Sequence, residues 1–406
     1  MARSALSHSR TSAGLANLRG FTILIVLAFH SVLAYARFNP GTAHGFDDPP
    51  YNWRGFPIAD SHRWFSFDLF CGWQDVYLMS LMFFLSGLFV WPSMTRKSLW
   101  GFARDRLLRL GLPYAFAVAI LMPLAIYPVY LQTAVDPSVA AYWQHFLALP
   151  FWPNGPMWFL LELMGFNLVI VGVSALMPLL IPRLGQVSLA LGQRPVRYFV
   201  IFLALSTLVY LPPALVFTPW KWFDTAWLPF QISRVLHYAL YFVAGVGIGA
   251  GGLDRGLIAP DGSLQRRWAL LLAAATISWI AWMGMTALTM NGDAPITLQI
   301  IADLAFVVAC ACGSFCFVAM CMHFAARQSR PLGVLADNAY SFYLVHYGFV
   351  VWLQYALLPA PLHAVLKGGI VSGGTLALSW IAVLILQRVP LGARLIGLSV
   401  REALTS

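Results

Sequence analysis

The chain has 406 residues, 60% of them apolar and only 10% charged, with a mean hydropathy of +0.74. A soluble domain carries about 25% charged residues, so this composition excludes an ordinary water-soluble fold and describes an all-α, polytopic membrane protein. The net charge of +10 resembles a nucleic-acid signal only until its distribution is followed; it sets topology, and no nucleic-acid partner is expected.

The first apolar run, residues 15–36 (LANLRGFTILIVLAFHSVLAYA), contains Arg19 and His30. Their spacing of eleven residues is about three turns of α-helix, a rise of roughly 16 Å. Both therefore lie on one stripe, the arginine near the start and the histidine past the middle. Ionisable groups inside a span are costly and face a cavity or a partner; the plainer reading is an arginine at headgroup level and a histidine bonded to a neighbouring helix. Arg3 and Arg10 before an apolar core ending in Ala34-Tyr35-Ala36 also have the outline of a secretory signal. A histidine in the core argues against that, and the first span is expected to be retained.

Residues 38–73 form a long polar connection holding Asp47, Asp48, Asp60 and Asp68 among Tyr51, Trp53, Trp64 and Trp73. Carboxylates mixed with indoles suit a sugar, whose hydroxyls seek acceptors and whose C–H faces seek flat apolar surface. An aromatic belt with a folded lid accounts for the same residues. A second span follows near 75–95 and contains FFLSGLFVW. Residues 96–114 read RKSLWGFARDRLLRLGLPY, in which Arg106 and Arg109 are three apart and expected on one helical face. Such a stretch either rests on anionic headgroups or clamps phosphates with its guanidinium forks. Further apolar runs near 111–133, 156–181, 198–218, 234–252, 268–290, 297–324, 339–358 and 368–387 are of spanning length, which makes ten spans. Cys310, Cys312, Cys316 and Cys321 share one of them in a spacing that matches no usual zinc pattern; they read as small apolar packing residues, and no metal is expected. Pro123, Pro128, Gly245, Gly247 and Gly249 interrupt spans, though not at corresponding positions in two halves as transporter repeats would have them.

With the N-terminus inside, Lys and Arg gather in the tails and the even-numbered connections, while the outside keeps Arg37, Arg54, Arg63, Lys221 and Lys367. This bias makes both termini cytoplasmic. The chain then reads as a single membrane-embedded domain, a core of residues 15–390 with a short cytoplasmic tail, 391–406. Arg19 falls near the cytoplasmic face and His30 in the outer half, where inward-running helices also put Asp75, Trp158, Glu162, Arg234, His237 and Asp303. A carboxylate beside His30 would fix its tautomer and raise its basicity; Glu162 and Asp303 are the candidates. Ser341, Tyr343 and His346 lie on an outward-running helix, with His346 about one and a half turns in and more simply read as a helix-bridging group than as a second base.

The Arg19-x10-His30 spacing resembles the signature of the acyltransferase 3 membrane family, as do FFLSG at 83–87, the Arg106-x-x-Arg109 pair, GPMWFLLEL at 155–163 and SFYLVH at 341–346. The resemblance covers nearly the whole chain, with the motifs in the expected order. It implies a multi-pass enzyme of the bacterial inner membrane that transfers an acyl group, commonly acetyl or succinyl, from a cytosolic acyl-CoA donor to an envelope carbohydrate such as a periplasmic glucan or O-antigen. The lack of a fused extracellular hydrolase-like domain resembles the stand-alone members. On that footing His30 is expected as general base or covalent carrier, with Arg19 and Glu162 beside it in the catalytic group. Arg104, Arg106 and Arg109 would hold the donor's phosphates, and Asp75, Trp158, Asp303 and His346 would lie on the substrate side. Acyl-CoA enters as a co-substrate, membrane lipids surround the chain, and the oligomeric state is left open. The alternative is a transporter or flippase for an anionic or sugar-lipid substrate, with the same intramembrane charges as its relay.

Overall fold

The computed structural model describes residues 2–42, 44–224, 229–260, 262–290, 294–327 and 329–397. Most of the expected cytoplasmic tail, residues 398–406 with Arg401, lies outside the described residues. In chain order the helices are α1 (Ala2–Val32), α2 (Phe65–Leu88), α3 (Leu99–Leu131), α4 (Val139–Ala148), α5 (Trp158–Leu176), α6 (Leu180–Gly192), α7 (Pro195–Phe217), α8 (Val235–Gly251), α9 (Trp268–Thr289), α10 (Ile296–Phe324), α11 (Arg330–Ala356) and α12 (Ala364–Gln387), with short turns between them. A chain this apolar must satisfy its backbone internally wherever water is excluded, and the helix does so within one segment.

Among the described residues, eight helices are long and apolar enough to cross a membrane: α1, α2, α3, α5, α7, α9, α10 and α12. The other two runs of spanning length are also helical but differ from the rest. The run near 234–252 is the 17-residue α8. The run near 339–358 belongs to the 27-residue α11, which begins at Arg330 and carries Asp337 and Asn338 ahead of its apolar part. The basic stretch and the span expected after it are one helix, α3, wound through π turns at Leu107–Gly111 and Ala117–Leu121. Pro123 and Pro128 stand within α3, and Gly245, Gly247 and Gly249 within α8, so none of these residues breaks its helix.

The α8 glycines serve close packing. A Cβ on Gly245 would stand 2.2 Å from the Phe84 carbonyl oxygen, and one on Gly87 of α2 would stand 2.1 Å from that of Phe242. Small residues let two backbones approach where lipid offers no hydrophobic drive for association. Between α7 and α8 the chain makes a short antiparallel hairpin, β1 (Trp222–Asp224) and β2 (Pro229–Gln231), with Phe223 opposite Phe230.

The first helix packs against α11 in the same close manner. A Cβ on Gly20 would lie 2.3 Å from the Leu332 carbonyl oxygen. Asn17 donates to the carbonyls of Ala325 and Arg327 at 2.8 Å, and Arg19 donates to that of Ala336 at 3.4 Å. Further along, Gln354 donates to the carbonyls of His30 and Ser31 at 2.8 and 3.1 Å. Each step up α1 meets a step up α11, so the two helices run parallel.

The long connection after α1 is a folded lid. Asp68 accepts the backbone N–H groups of Arg37 and Phe38, Asp47 meets His145 of α4 at 2.7 Å, and Phe46 stacks on Trp53. Gln132 bonds the lid backbone twice, at Pro57 and Ala59. Asp60 takes the Lys367 ammonium of α12 at 2.6 Å, the two side chains 1% and 0% exposed. Three of the four carboxylates that suited a sugar, Asp47, Asp60 and Asp68, are thus engaged in holding the lid. Removing one member of a fully buried pair strands the other charge, at a cost of about 3–5 kcal/mol. Lys367→Met is therefore expected to lower the thermal unfolding midpoint in detergent sharply, and Lys367→Met combined with Asp60→Leu to recover most of the loss.

Candidate active site

Between α1, α2, α3, α5 and α11 lies a cavity of about 340 Å³. Every motif singled out in the sequence lines it: Arg19 from α1, Leu85 and Ser86 of FFLSG, Arg106 of the arginine pair, Phe159, Leu160 and Leu163 of GPMWFLLEL, and Tyr343 of SFYLVH. Two guanidinium groups share the cavity, and no carboxylate is among its described lining residues, so its field favours an anion. Arg106 lies over the Phe102 ring, 4.7 Å from its centroid.

The arginines of α3 part company here. An unbroken α-helix would present Arg106 and Arg109 on one face, but the π turn at Leu107–Gly111 begins directly after Arg106 and contains Arg109, and it changes the angle per residue. Arg106 reaches the cavity. Arg109 instead pairs with Asp105 at 3.1 Å, and Asp105 also holds Lys97 at 2.9 Å. Arg104 is exposed. Of the three arginines expected to hold a donor's phosphates, Arg106 alone lines the cavity, joined there by Arg19.

About three turns along α1 from Arg19, His30 lies against His346 of α11, their ring centroids 5.2 Å apart and nearly perpendicular. His346 is level with His30 because α11 starts at Arg330: His346 is sixteen residues, about four and a half turns, into its helix rather than one and a half. Arg330, Pro331, Asp337 and Asn338 hid that start. The Nδ1 of His30 lies 3.2 Å from the Val26 carbonyl, and that of His346 lies 2.8 Å from the Tyr343 carbonyl. A carbonyl only accepts, so each Nδ1 carries the proton and each Nε2 offers a lone pair. His346 is fully buried, whereas His30 is partly accessible.

The orienting group is therefore a backbone carbonyl, not the carboxylate expected from Glu162 or Asp303. Among the described residues, no hydrogen bond or ion pair joins either acid to His30. The carbonyl one turn back along α1 is within reach of Nδ1 without recruiting another helix. Asp303 interacts with the Tyr210 hydroxyl and the Arg234 charge. Arg234 forms a two-pronged pair with Asp75 at 2.9 and 2.8 Å and sits between the rings of Trp220 and Phe306. Asp75, Asp303 and Arg234 thus form one polar cluster beneath the hairpin, separate from the histidine pair. Trp158 bridges toward it, stacked on Tyr238 and edge-on to Trp222 of the hairpin. Glu162 buries both carboxylate oxygens with no hydrogen-bond partner, within electrostatic reach of Tyr238 and Tyr343.

Sequence reasoning missed Thr22, Asn167 and Tyr340, which also line the cavity. Isolated polar residues in apolar runs carry no spacing signal, and only the helix packing brings them together. The Tyr343 hydroxyl donates to the Pro156 carbonyl, which joins two of the motifs directly.

The acyltransferase 3 family model, described as an acyltransferase domain, matches residues 12–384. No curated protein and no solved structure matches the chain. The different surroundings of the two arginines make a sharp expectation. Charge-assisted hydrogen bonds contribute about 1.5–3 kcal/mol, so Arg106→Glu should weaken binding of a phosphate-bearing ligand by about tenfold or more. Arg109→Glu should weaken it far less. Calorimetric titration of the detergent-solubilised protein with coenzyme A compares the two.

Proposed function

From the premise that the chain belongs to the acyltransferase 3 family and is a multi-pass membrane acyltransferase, we propose that it moves an acetyl or succinyl group from cytosolic acyl-CoA to a hydroxyl of an extracytoplasmic carbohydrate. The acceptor is an envelope glycan of the periplasmic glucan or O-antigen kind, and the chain sits in a bacterial inner membrane with both termini cytoplasmic. The observation that carries this reading is the separation between Arg19 and His30. It is about 16 Å along α1, and the arm joining the phosphates of coenzyme A to its sulfur equals about five extended residues, roughly 17 Å. An anion held at Arg19 and Arg106 would deliver its thioester to the level of the histidines. The parallel course of α1 and α11 supports the topology, since both are odd-numbered spans in the ten-span count.

In this reading the neutral imidazole of His30, its Nδ1–H held by Val26, presents Nε2 to the acceptor hydroxyl. The hydroxyl oxygen attacks the thioester carbonyl as Nε2 takes its proton. The C–S bond then breaks, and the coenzyme A thiolate leaves with the proton returned by the imidazolium, so that ester and free thiol are the products. Trp158, on the hairpin side, is the acceptor-facing candidate, with His346 packed behind His30.

Purified protein in liposomes, supplied with labelled acetyl- and succinyl-CoA and a mixed glycan acceptor, tests the scheme. Label should pass to the glycan with the wild type, and His30→Ala should slow transfer by about 10²–10⁴-fold, the usual contribution of a general base. Normal transfer by a folded His30→Ala protein that still binds the donor would overturn the role of His30. Binding of labelled substrate into liposomes without thioester consumption would favour transport instead.

A further inference from the structure

Three buried polar atoms without a hydrogen-bond partner belong to residues lining the Arg19–Arg106 cavity: Arg106 Nε, Asn167 Oδ1 and the Tyr340 hydroxyl. Asn167 is the most constrained of them. Its residue is 3% exposed, and its Nδ2 donates to the Leu163 carbonyl one turn back on α5 at 2.7 Å. That bond decides which side-chain atom is which, because only the amino end can donate to a carbonyl. Oδ1 is left as an acceptor, and the cationic side chains of the cavity do not reach it. A buried acceptor left unmet is unfavourable, so the empty valence at Asn167 asks for an N–H or O–H donor from a ligand. Tyr340, across the cavity on α11, can donate or accept.

We propose that Asn167 and Tyr340 form a subsite for the amide-bearing arm of the acyl donor, within the cavity that Arg19 and Arg106 share. This rests on the reading of acyl-CoA as donor. Phosphates supply acceptors only and cannot satisfy Asn167 Oδ1. The arm above them carries two secondary amides, each offering one N–H and one carbonyl. Asn167 Oδ1 receives one amide N–H, and Tyr340 donates to an amide carbonyl. Both residues position the arm and neither touches the reacting carbonyl, so they act on donor binding more than on the chemical step. The subsite also selects for donor identity: a thioester on a simple alkyl thiol leaves both groups unmet.

The test uses the full-length protein in liposomes with acetyl-CoA and two analogues, each with one amide N–H replaced by an ester oxygen. The wild type should show a KM roughly three- to tenfold higher for one of the two analogues, the range expected for one neutral hydrogen bond, with kcat nearly unchanged, the signature of lost uniform binding. Asn167→Leu should raise KM for acetyl-CoA by a similar factor and abolish discrimination against that analogue. Tyr340→Phe removes a hydroxyl that no protein group holds, so it should fold normally and raise KM several-fold at unchanged kcat. A purely structural Asn167 would leave analogue discrimination the same in the variant as in the wild type. That outcome, or a wild type blind to both analogues, or an unchanged KM in Tyr340→Phe, overturns the subsite while the donor assignment stands. A wild type that consumes no acetyl-CoA and no succinyl-CoA overturns the donor assignment and the subsite together.

Discussion

The parallel contact between α1 and α11 is the constraint on which the rest of the site depends. Gly20 lets the first helix touch the backbone of α11 at Leu332, Arg19 and Gln354 tie the pair near both ends, and Asn17 holds the connection just before α11. All three bonds end on main-chain carbonyls, so the register is set by backbone positions and not by the partner's side chains. In lipid there is little apolar drive for two helices to associate, and close packing with interhelical hydrogen bonds must do it. One consequence is that Arg19 shares the level of Ala336 and the cavity with Tyr340, while His30 shares the level of His346. Arg19 and His30 are thereby held about three turns apart on a rigid frame.

The polar groups of the interior fall into two kinds. Asp60 with Lys367 and Asp75 with Arg234 are ion pairs, and the first of them ties the lid to α12. Others have buried atoms without a hydrogen-bond partner, among them Arg106, Asn167 and Tyr340 around the central cavity and Glu162, His237 and Ser206 outside its lining. An unmet buried group costs about 1–3 kcal/mol, and a ligand in the cavity would offset that cost for the three groups that line it.

The α3 helix shows how a local backbone feature edits a sequence motif. Two arginines three residues apart should act together on an α-helix. A π turn that begins after the first and contains the second leaves one in the cavity and the other in a pair with Asp105. π turns recur at functional sites because they re-aim a side chain without ending the helix.

Composition and apolar run lengths by themselves determined the all-α membrane class, because a chain with so few charges has few other ways to satisfy its backbone. Periodicity put Arg19 and His30 on one stripe, since that relation lies within a single helix and needs no other. The motifs FFLSG, GPMWFLLEL and SFYLVH were legible one by one. What they have in common was not: their shared cavity exists only once five helices are packed. The start of α11 was hidden by Arg330, Pro331, Asp337 and Asn338, which displaced His346 by three turns from its true level beside His30. Likewise the orienting partner of His30 was sought among carboxylates, when a carbonyl on its own helix is nearer than any of them. Asn167 and Tyr340 carried no signal at all. A lone polar residue in an apolar run acquires meaning from what faces it, and which groups face each other is a property of helix packing, which tertiary structure alone decides.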